Sequence, residues 1–201
     1  MSTSLIYRSA TGYELLMRAL YGRHYPARMR AVAAQVPDGA SVLELCCGPG
    51  TLYKRYLQGR VGGYIGLDLN DGFVEGLTRE GVDARRLDLS RGEESLPRAD
   101  VVLIQASLYH FLPDAGALVD RMLQAADDRV IVSEPIRNIA SSGVPVLGIL
   151  GRRGTDPGEG TGHEQRFTEE TLDALMEPYA GRVLRSFLIP GGREKVYVLA
   201  A

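Results

Sequence analysis

The sequence has few cysteines, and their placement excludes a class of secreted proteins. Only two cysteines occur in 201 residues, and they are neighbours, Cys46 and Cys47. Two cysteines cannot build a disulfide framework, and adjacent cysteines bond to each other only with strain. We therefore expect a protein of a reducing compartment, which places it in the cytoplasm.

Net charge and long apolar runs are lacking too. The formal net charge is only −2, so no general field attracts nucleic acid or an acidic membrane. The N-terminus, MSTSLIYRSATGYELL, lacks the basic start and apolar core of a signal peptide. The most apolar stretch, GVPVLGILG, has about half the length that a bilayer requires. We expect no transmembrane segment, no nucleic-acid partner, and a monomer or homodimer.

Short apolar strands alternate with helical segments through the middle of the chain. Strands are predicted at 41–45, 62–69, 82–89, 99–106 and 128–135. Helical segments are predicted at 51–58, 73–80 and 115–126. Alternation at this spacing is typical of parallel βαβ units. Near-continuous apolar strands such as VVLI indicate a sheet that helices cover on both faces.

The two ends of the chain follow other patterns, which we assign to one domain spanning residues 1–201. Residues 1–36 are predicted to form a helical cap, with a helix from Pro26 to Val36. Segment 136–166 is long and glycine-rich, which favours a functional loop, and we predict a lid over the acceptor there. Thr168 is predicted to cap a helix over 168–180. Two strands around Gly191-Gly192 then predict an antiparallel hairpin.

A glycine turn, ELCCGPGT, follows the first predicted strand. Small residues before a helix let a ligand approach the unpaired N–H groups of the helix start. In doubly wound sheets, such ligands bind at the carboxyl ends of the strands. Asp68, about twenty positions beyond the turn, can accept hydrogen bonds from ribose hydroxyls. Together with Glu44 and Asp88, it would form a row of acids along one edge of the sheet.

Other uses of this turn fit the sequence less well. A nicotinamide fingerprint requires a third glycine where Tyr53 stands, so an oxidoreductase is the weaker alternative. A metal centre would need more ligands than Cys46 and Cys47, and a redox pair would have two residues between its cysteines. We therefore predict no metal. The pattern acid-x-small-x-Gly-x-Gly is matched instead by four residues: Glu44, Cys46, Gly48 and Gly50.

Five segments together resemble the successive motifs of class I S-adenosylmethionine-dependent methyltransferases. They are VLELCCGPG, YIGLDLN, ARRLDLS, DVVLIQASLYHFLPD and VIVSEP. The resemblance covers roughly residues 26–201. It implies an α/β fold, with a Rossmann-like, mostly parallel seven-stranded sheet, a C-terminal antiparallel hairpin and helices on both faces. It also implies S-adenosylmethionine as the cofactor and S-adenosylhomocysteine as its product.

The resemblance assigns the methionine end of the cofactor to the first turn. Glu44 and residues 46–50 are implied to hold it, which includes Cys46, Gly48 and Gly50. Gln105 and Ala106, at the end of the fourth strand, are implied to lie under the methionyl part. Cys46 replaces a glycine of the family's pattern, and we expect this small side chain to be tolerated.

The adenosine end is assigned to the next two strands. Asp68 is implied to bind the ribose hydroxyls, and Leu69 to pack against adenine. Asp88 is implied to accept a hydrogen bond from the adenine amino group, with Leu89 beside it.

The acceptor is inferred by elimination. Enzymes of this family that methylate amino groups of bases often carry Asn/Asp-Pro-Pro-aromatic after the fourth strand, where this chain has Gln105-Ala-Ser-Leu. No basic stripe appears either, so we predict a small-molecule or lipid-like acceptor. Methyl transfer relies largely on positioning, and a base is needed only when the acceptor must lose a proton early. His110 and His163 are the candidate bases. The alternative is a non-catalytic module that binds S-adenosylmethionine or a partner.

Overall fold

A seven-stranded sheet dominates the computed structural model, which describes residues 22–92, 95–136 and 166–201. The strands are β1 (Ser41–Leu45), β2 (Gly63–Asp68), β3 (Ala84–Arg86), β4 (Ala99–Gln105), β5 (Ala126–Pro135), β6 (Val183–Leu188) and β7 (Glu194–Ala200). The α-helices are α1 (Tyr25–Ala33), α2 (Asp71–Arg79), α3 (Ala115–Ala125) and α4 (Glu169–Met176). Shorter helical turns span Gly22–His24, Tyr53–Leu57, Leu89–Arg91, Leu108–Phe111 and Glu177–Arg182.

The strand order is β3-β2-β1-β4-β5-β7-β6. Strands β1 to β5 pair in parallel, and β7 runs antiparallel to both of its neighbours, β5 and β6. The chain order reverses at β1, because β2 lies on one side of it and β4 on the other. The predicted mostly parallel sheet with an antiparallel finish is confirmed.

Both faces of the central strands are buried, as their continuous apolar runs predict. On β4, Val101 and Leu103 face one core with α1 and α2, whereas Val102 and Ile104 face a second core with α3 and α4. All four side chains are fully buried. The sheet is therefore fixed from two sides, and this holds the carboxyl ends of β1, β2 and β4 in one row.

Several boundaries differ from those predicted. β3 covers only Ala84–Arg86, because it is an edge strand with exposed arginines. Helix α1 ends at Ala33 rather than Val36. The predicted cap at Thr168 is confirmed, since its hydroxyl accepts from the Thr171 N–H at 3.2 Å. Helix α4 then gives way to a 3₁₀ turn that contains Pro178, which has no N–H to continue the helical ladder.

Three predictions fall wholly or largely outside the described residues. They are the helical part of the cap before residue 22, the lid at 136–166 except for its two end residues, and His163. In the described part of the chain, no helix is both long and apolar enough to cross a membrane.

Candidate functional site

The turn after β1 has three residues with left-handed backbone. The φ angles are 53° at Cys46, 55° at Gly48 and 68° at Gly50. Glycine adopts this conformation freely, whereas a residue with a side chain loses about 1–2 kcal/mol there. Cys46 therefore occupies a position that favours glycine, in agreement with its place in the sequence motif.

The two glycines of the turn serve different purposes. A Cβ at Gly50 would lie 2.6 Å from Cδ2 of Leu77, a core side chain of α2. A Cβ at Gly48 would meet nothing within 4 Å, although its backbone is equally left-handed. Gly50 thus allows close packing of the turn on α2, and Gly48 leaves open space above the turn.

Gly48 also lines a cleft that is open to solvent, and its empty volume is about 410 Å³ when that solvent is included. Residues of the turn form one wall, α1 forms another, and the end of β4 forms the third. The lining residues are Glu44, Cys46, Cys47, Gly48, Pro49, Thr51 and Leu52, then Tyr25, Arg28 and Met29, and then Gln105, Ala106 and Ser107. The cleft lies where the chain order of the sheet reverses, which is the usual place for ligands in this class of sheet.

Asp68 connects the glycine turn to the end of β2. Its Oδ2 accepts from the Gly48 N–H at 2.8 Å, and its Oδ1 accepts from the Asn70 N–H at 2.8 Å. Burial raises the pKa of this carboxyl, and the N–H donors of Asn70, Gly48 and Leu69 act against that rise. The four lone pairs of a carboxylate exceed these three donors, so Asp68 can still accept a hydrogen bond from a ligand.

Leu69 presents an apolar surface next to this carboxylate. It is 39% exposed, and only two other large apolar side chains are exposed in the described residues. Its neighbours are held in place, since Asp68 bonds to the turn and the Asn70 side chain caps α2 by accepting from the Phe73 N–H at 3.2 Å. A flat apolar group beside Asp68 would cover Leu69.

Glu44 is a buried carboxyl on the cleft wall. It is 4% exposed, and the Tyr64 hydroxyl donates to its Oε2 at 2.7 Å. Burial raises the pKa of Glu44 to about 7, against the lowering effect of Tyr64, and the nearby Asp68 adds to the rise. Near neutral pH this group is divided between its two protonation states, so a cationic ligand would draw it to the ionised form.

Asp88 and Leu89 lie farther along the same edge, after β3, and neither lines the cleft. Oδ1 of Asp88 accepts from both N–H and Oγ of Ser90, and Oδ2 accepts from Arg91 at 3.1 Å. The bond from Ser90 lowers the pKa of Asp88. The Leu89 side chain is buried in the core, so it is the main chain of residue 89 that borders this edge.

The loop after β4 is fixed by a buried carboxyl that the sequence reasoning did not single out. Oε1 of Glu134 accepts from the N–H groups of Ser107 and Leu108, at 2.7 and 2.6 Å. Its Oε2 has no hydrogen-bond partner among the described residues. Burial raises the pKa of Glu134 to about 8, although both N–H donors lower it. Ala106, which starts this loop, has a left-handed φ of 54°.

A buried ion pair lies at the base of the cleft, and it too was missed. The Arg28 guanidinium donates to Glu194 at 2.7 and 3.2 Å, and both side chains are almost wholly buried. Ser133 and Gln105 also donate to Oε1 of Glu194, at 2.5 and 3.3 Å. The Gln105 side chain is therefore held in place by Glu194. The sequence signal that could have pointed to these buried groups is the VIVSEP motif, which contains Ser133 and Glu134.

Of the two candidate bases, the structure describes only His110. His110 lies in the 3₁₀ turn after Ser107, with its ring centroid 4.0 Å from that of Tyr109, and it does not line the cleft. His163 lies outside the described residues. Within the described ranges, no group of three or more His, Cys, Asp or Glu side chains is placed to hold a metal ion.

Comparison with known proteins gives matches by structure only. No family model matches the chain, and no curated protein matches it. Magnesium protoporphyrin IX methyltransferase from Synechocystis PCC 6803, solved with bound SAH, is 18% identical, with a TM-score of 0.63 and 96% of each chain covered. A TehB-like SAM-dependent methyltransferase from Corynebacterium glutamicum is 17% identical, with a TM-score of 0.61, over 96% of this chain and 97% of that one.

A third match is longer than this chain. The mitomycin 7-O-methyltransferase MmcR is 20% identical, with a TM-score of 0.63, over 98% of this chain and 60% of that one. The chain thus has the fold of these methyltransferases, as the sequence motifs implied.

Proposed function

We propose that this chain binds S-adenosylmethionine and transfers its methyl group to a small-molecule or lipid-like acceptor. The observation that carries the proposal is the 2.8 Å hydrogen bond from the Gly48 N–H to the Asp68 carboxylate. It joins a left-handed glycine turn to the acid that ends the next strand, with the exposed Leu69 beside it. The same fold carries bound SAH or SAM in magnesium protoporphyrin IX methyltransferase.

The described residues fit the adenosine part of this cofactor. Asp68 keeps accepting capacity beyond its three N–H donors, which suits a ribose hydroxyl. Leu69 offers an exposed apolar face for the adenine ring. Asp88 can accept from the adenine amino group through Oδ2, the oxygen that receives only the Arg91 bond.

The cleft fits the methionine part. Glu44 can become ionised there, and a carboxylate favours the cofactor's ammonium group. Gly48 has no side chain to occupy the space above the turn. Gln105, held by Glu194, supports the opposite side. When bound, the cofactor supplies an electrophilic methyl group on a sulfonium sulfur.

The chain's own contribution to transfer is positioning. Apart from the charged Glu44 and Arg28, the cleft wall combines the apolar Met29 with the polar Gln105 and Ser107, which can contact an uncharged or weakly polar acceptor. Orienting the acceptor and excluding water can supply much of the rate enhancement. For an acceptor that must lose a proton early, His110 and His163 are the proposed bases.

Ligand binding tests this function first. S-adenosylmethionine or S-adenosylhomocysteine should raise the melting temperature, and Asp68→Asn should weaken binding at least about tenfold, because it removes the charge of a bidentate acceptor. Asp83→Asn is the matched control, since Asp83 is an exposed acid at the start of β3, away from the carboxyl edge, and pairs with Arg85. If neither compound shifts the melting temperature at millimolar concentration, the proposal is wrong.

Transfer distinguishes an enzyme from a binding module. We expect labelled methyl groups from the cofactor to appear in small molecules or lipids of a cell extract. Binding without transfer to any acceptor would favour the non-catalytic alternative.

A further inference from the structure

Tyr64 is a buried side chain of β2 that contacts Glu44, the carboxyl on the cleft wall. Its hydroxyl donates to Oε2 of Glu44 at 2.7 Å, and this bond is buried. The Tyr64 ring stacks on Tyr53, with the ring centroids 4.0 Å apart and the planes 20° apart. Tyr64 itself does not line the cleft. The hydroxyl is thus held in place by packing that a ligand does not reach.

Strand register explains how Tyr64 reaches Glu44. In the parallel β1–β2 pair, Val42 lies opposite Tyr64 and Glu44 lies opposite Gly66. Alternate residues of a strand point to the same face, so Tyr64 and Gly66 share the face on which Glu44 lies. Tyr64 therefore reaches diagonally across one residue pair to the carboxylate.

Gly66 makes this diagonal contact possible. A Cβ at position 66 would lie 2.8 Å from Sγ of Cys47, 3.0 Å from the Tyr64 hydroxyl oxygen and 3.2 Å from its Cε1. These distances are too short for a side chain, so the tyrosine and the thiol occupy the space that glycine leaves. The second cysteine of the turn is therefore a packing element beside the Tyr64 hydroxyl.

We propose that Tyr64 is a positioning residue that orients the Glu44 carboxylate toward the amino group of the bound cofactor; this inference rests on the proposed function. With Oε2 held by Tyr64, Glu44 has a fixed orientation on the cleft wall before the ligand arrives. The Tyr64 bond also favours the ionised carboxylate, because it acts against the rise in pKa that burial causes.

Other charged or titratable groups also lie near Glu44, and of these Asp68 adds to the rise in its pKa. They are Asp68 at the end of β2, Cys46 and Cys47 in its own turn, and Arg28 on the facing helix α1. Burial, followed by nearby carboxylates, raises the pKa of both thiols well above the usual range, so they stay neutral. Asp68 is shared with the ribose site, so the test must separate its titration from that of Glu44.

A ligand-free measurement tests the coupling directly. The unfolding equilibrium of Tyr64→Phe is compared with that of the wild type between pH 5 and pH 9. Relative to the wild type, the folding equilibrium constant of the variant should fall about tenfold further at pH 9 than at pH 5. The reason is that Glu44 of the variant lacks a hydrogen-bond donor that lowers its pKa by about one unit. Gly66→Ala should behave in the same way, and Tyr53→Phe, which keeps the stacked ring and removes only its hydroxyl, should show no pH-dependent loss. An equal loss for Tyr64→Phe at both pH values would overturn the inference.

Ligand titrations then test the link to the cofactor. The pH midpoint for S-adenosylhomocysteine binding should rise by about one unit in Tyr64→Phe. The midpoint for adenosine, which has no amino-acid part, should stay unchanged, because adenosine reaches Asp68 but not Glu44. Equal shifts for both ligands would overturn the inference and leave the proposed function standing. If the wild type binds neither S-adenosylmethionine nor S-adenosylhomocysteine, the proposed function fails, and the cofactor role of Tyr64 fails with it.

Discussion

Alanine at the two glycines of the turn should separate stability from ligand binding. Both residues have left-handed φ angles, so each substitution costs about 1 kcal/mol from the backbone alone. At Gly50, the new Cβ also meets Leu77 at 2.6 Å. Leu77 is 1% exposed in a packed core, so overpacking adds about 1–3 kcal/mol. We therefore expect Gly50→Ala to cost about 2–4 kcal/mol, and Gly48→Ala to cost about 1 kcal/mol.

Ligand affinity should show the opposite order. The Cβ at position 48 extends into the open space of the cleft, where the cofactor would lie. Urea unfolding measures the first effect, and calorimetry with S-adenosylhomocysteine on the folded variants measures the second. Gly48→Ala should lose most of its affinity, whereas folded Gly50→Ala should keep more of it. The reasoning is refuted if Gly48→Ala is the less stable variant, or if it binds as the wild type does.

Three further changes probe the strain, the ionisation and the ion pair around the cleft. Ala106→Gly should raise the free energy of unfolding by about 0.5–1 kcal/mol, because φ is 54° there; a loss in urea unfolding would contradict this. Glu134 has a pKa near 8 when folded and an ordinary value of 4.5. Between these two pH values the folded state keeps a proton that the unfolded state has lost. The free energy of unfolding should therefore fall as the pH rises from 4.5 to 8. Glu134→Gln should flatten that slope in thermal unfolding, and an unchanged slope would count against it. Arg28→Met should cost about 3 kcal/mol, because the buried Glu194 loses its cation. The double variant with Glu194→Gln should cost less than the sum of the single changes, and strict additivity would argue against a coupled pair.

Features encoded over short stretches of sequence could be predicted well. The turn at 46–50 and Asp68 follow directly from the ends of β1 and β2, so strand alternation was enough to bring them to one edge. Thr168 was predicted as a cap because the capping bond joins residues only three apart. The glycine-like position of Cys46 in the turn was also predicted, and its φ of 53° agrees with that.

Contacts between distant segments could not be predicted in the same way. Arg28 and Glu194 are 166 residues apart, and only the finished sheet brings α1 onto β7. The Tyr64–Glu44 bond depends on parallel register and on a glycine at position 66, neither of which is visible in one motif. The sequence predicted Asp88 at the end of a strand, but that strand ends at Arg86, and the Asp88 carboxylate accepts a hydrogen bond from the Ser90 N–H.

The central claim is that the cofactor binds at the carboxyl edge, between the glycine turn and Leu69. Its most direct test is a ¹⁵N–¹H correlation spectrum recorded during titration with S-adenosylhomocysteine. The claim predicts saturable shifts of the Gly48, Leu69 and Ala106 amides, while Gly39 and Gly62, which precede β1 and β2 at the opposite edge of the sheet, stay unchanged. No shift at saturating millimolar concentration, or shifts confined to that opposite edge, would contradict it.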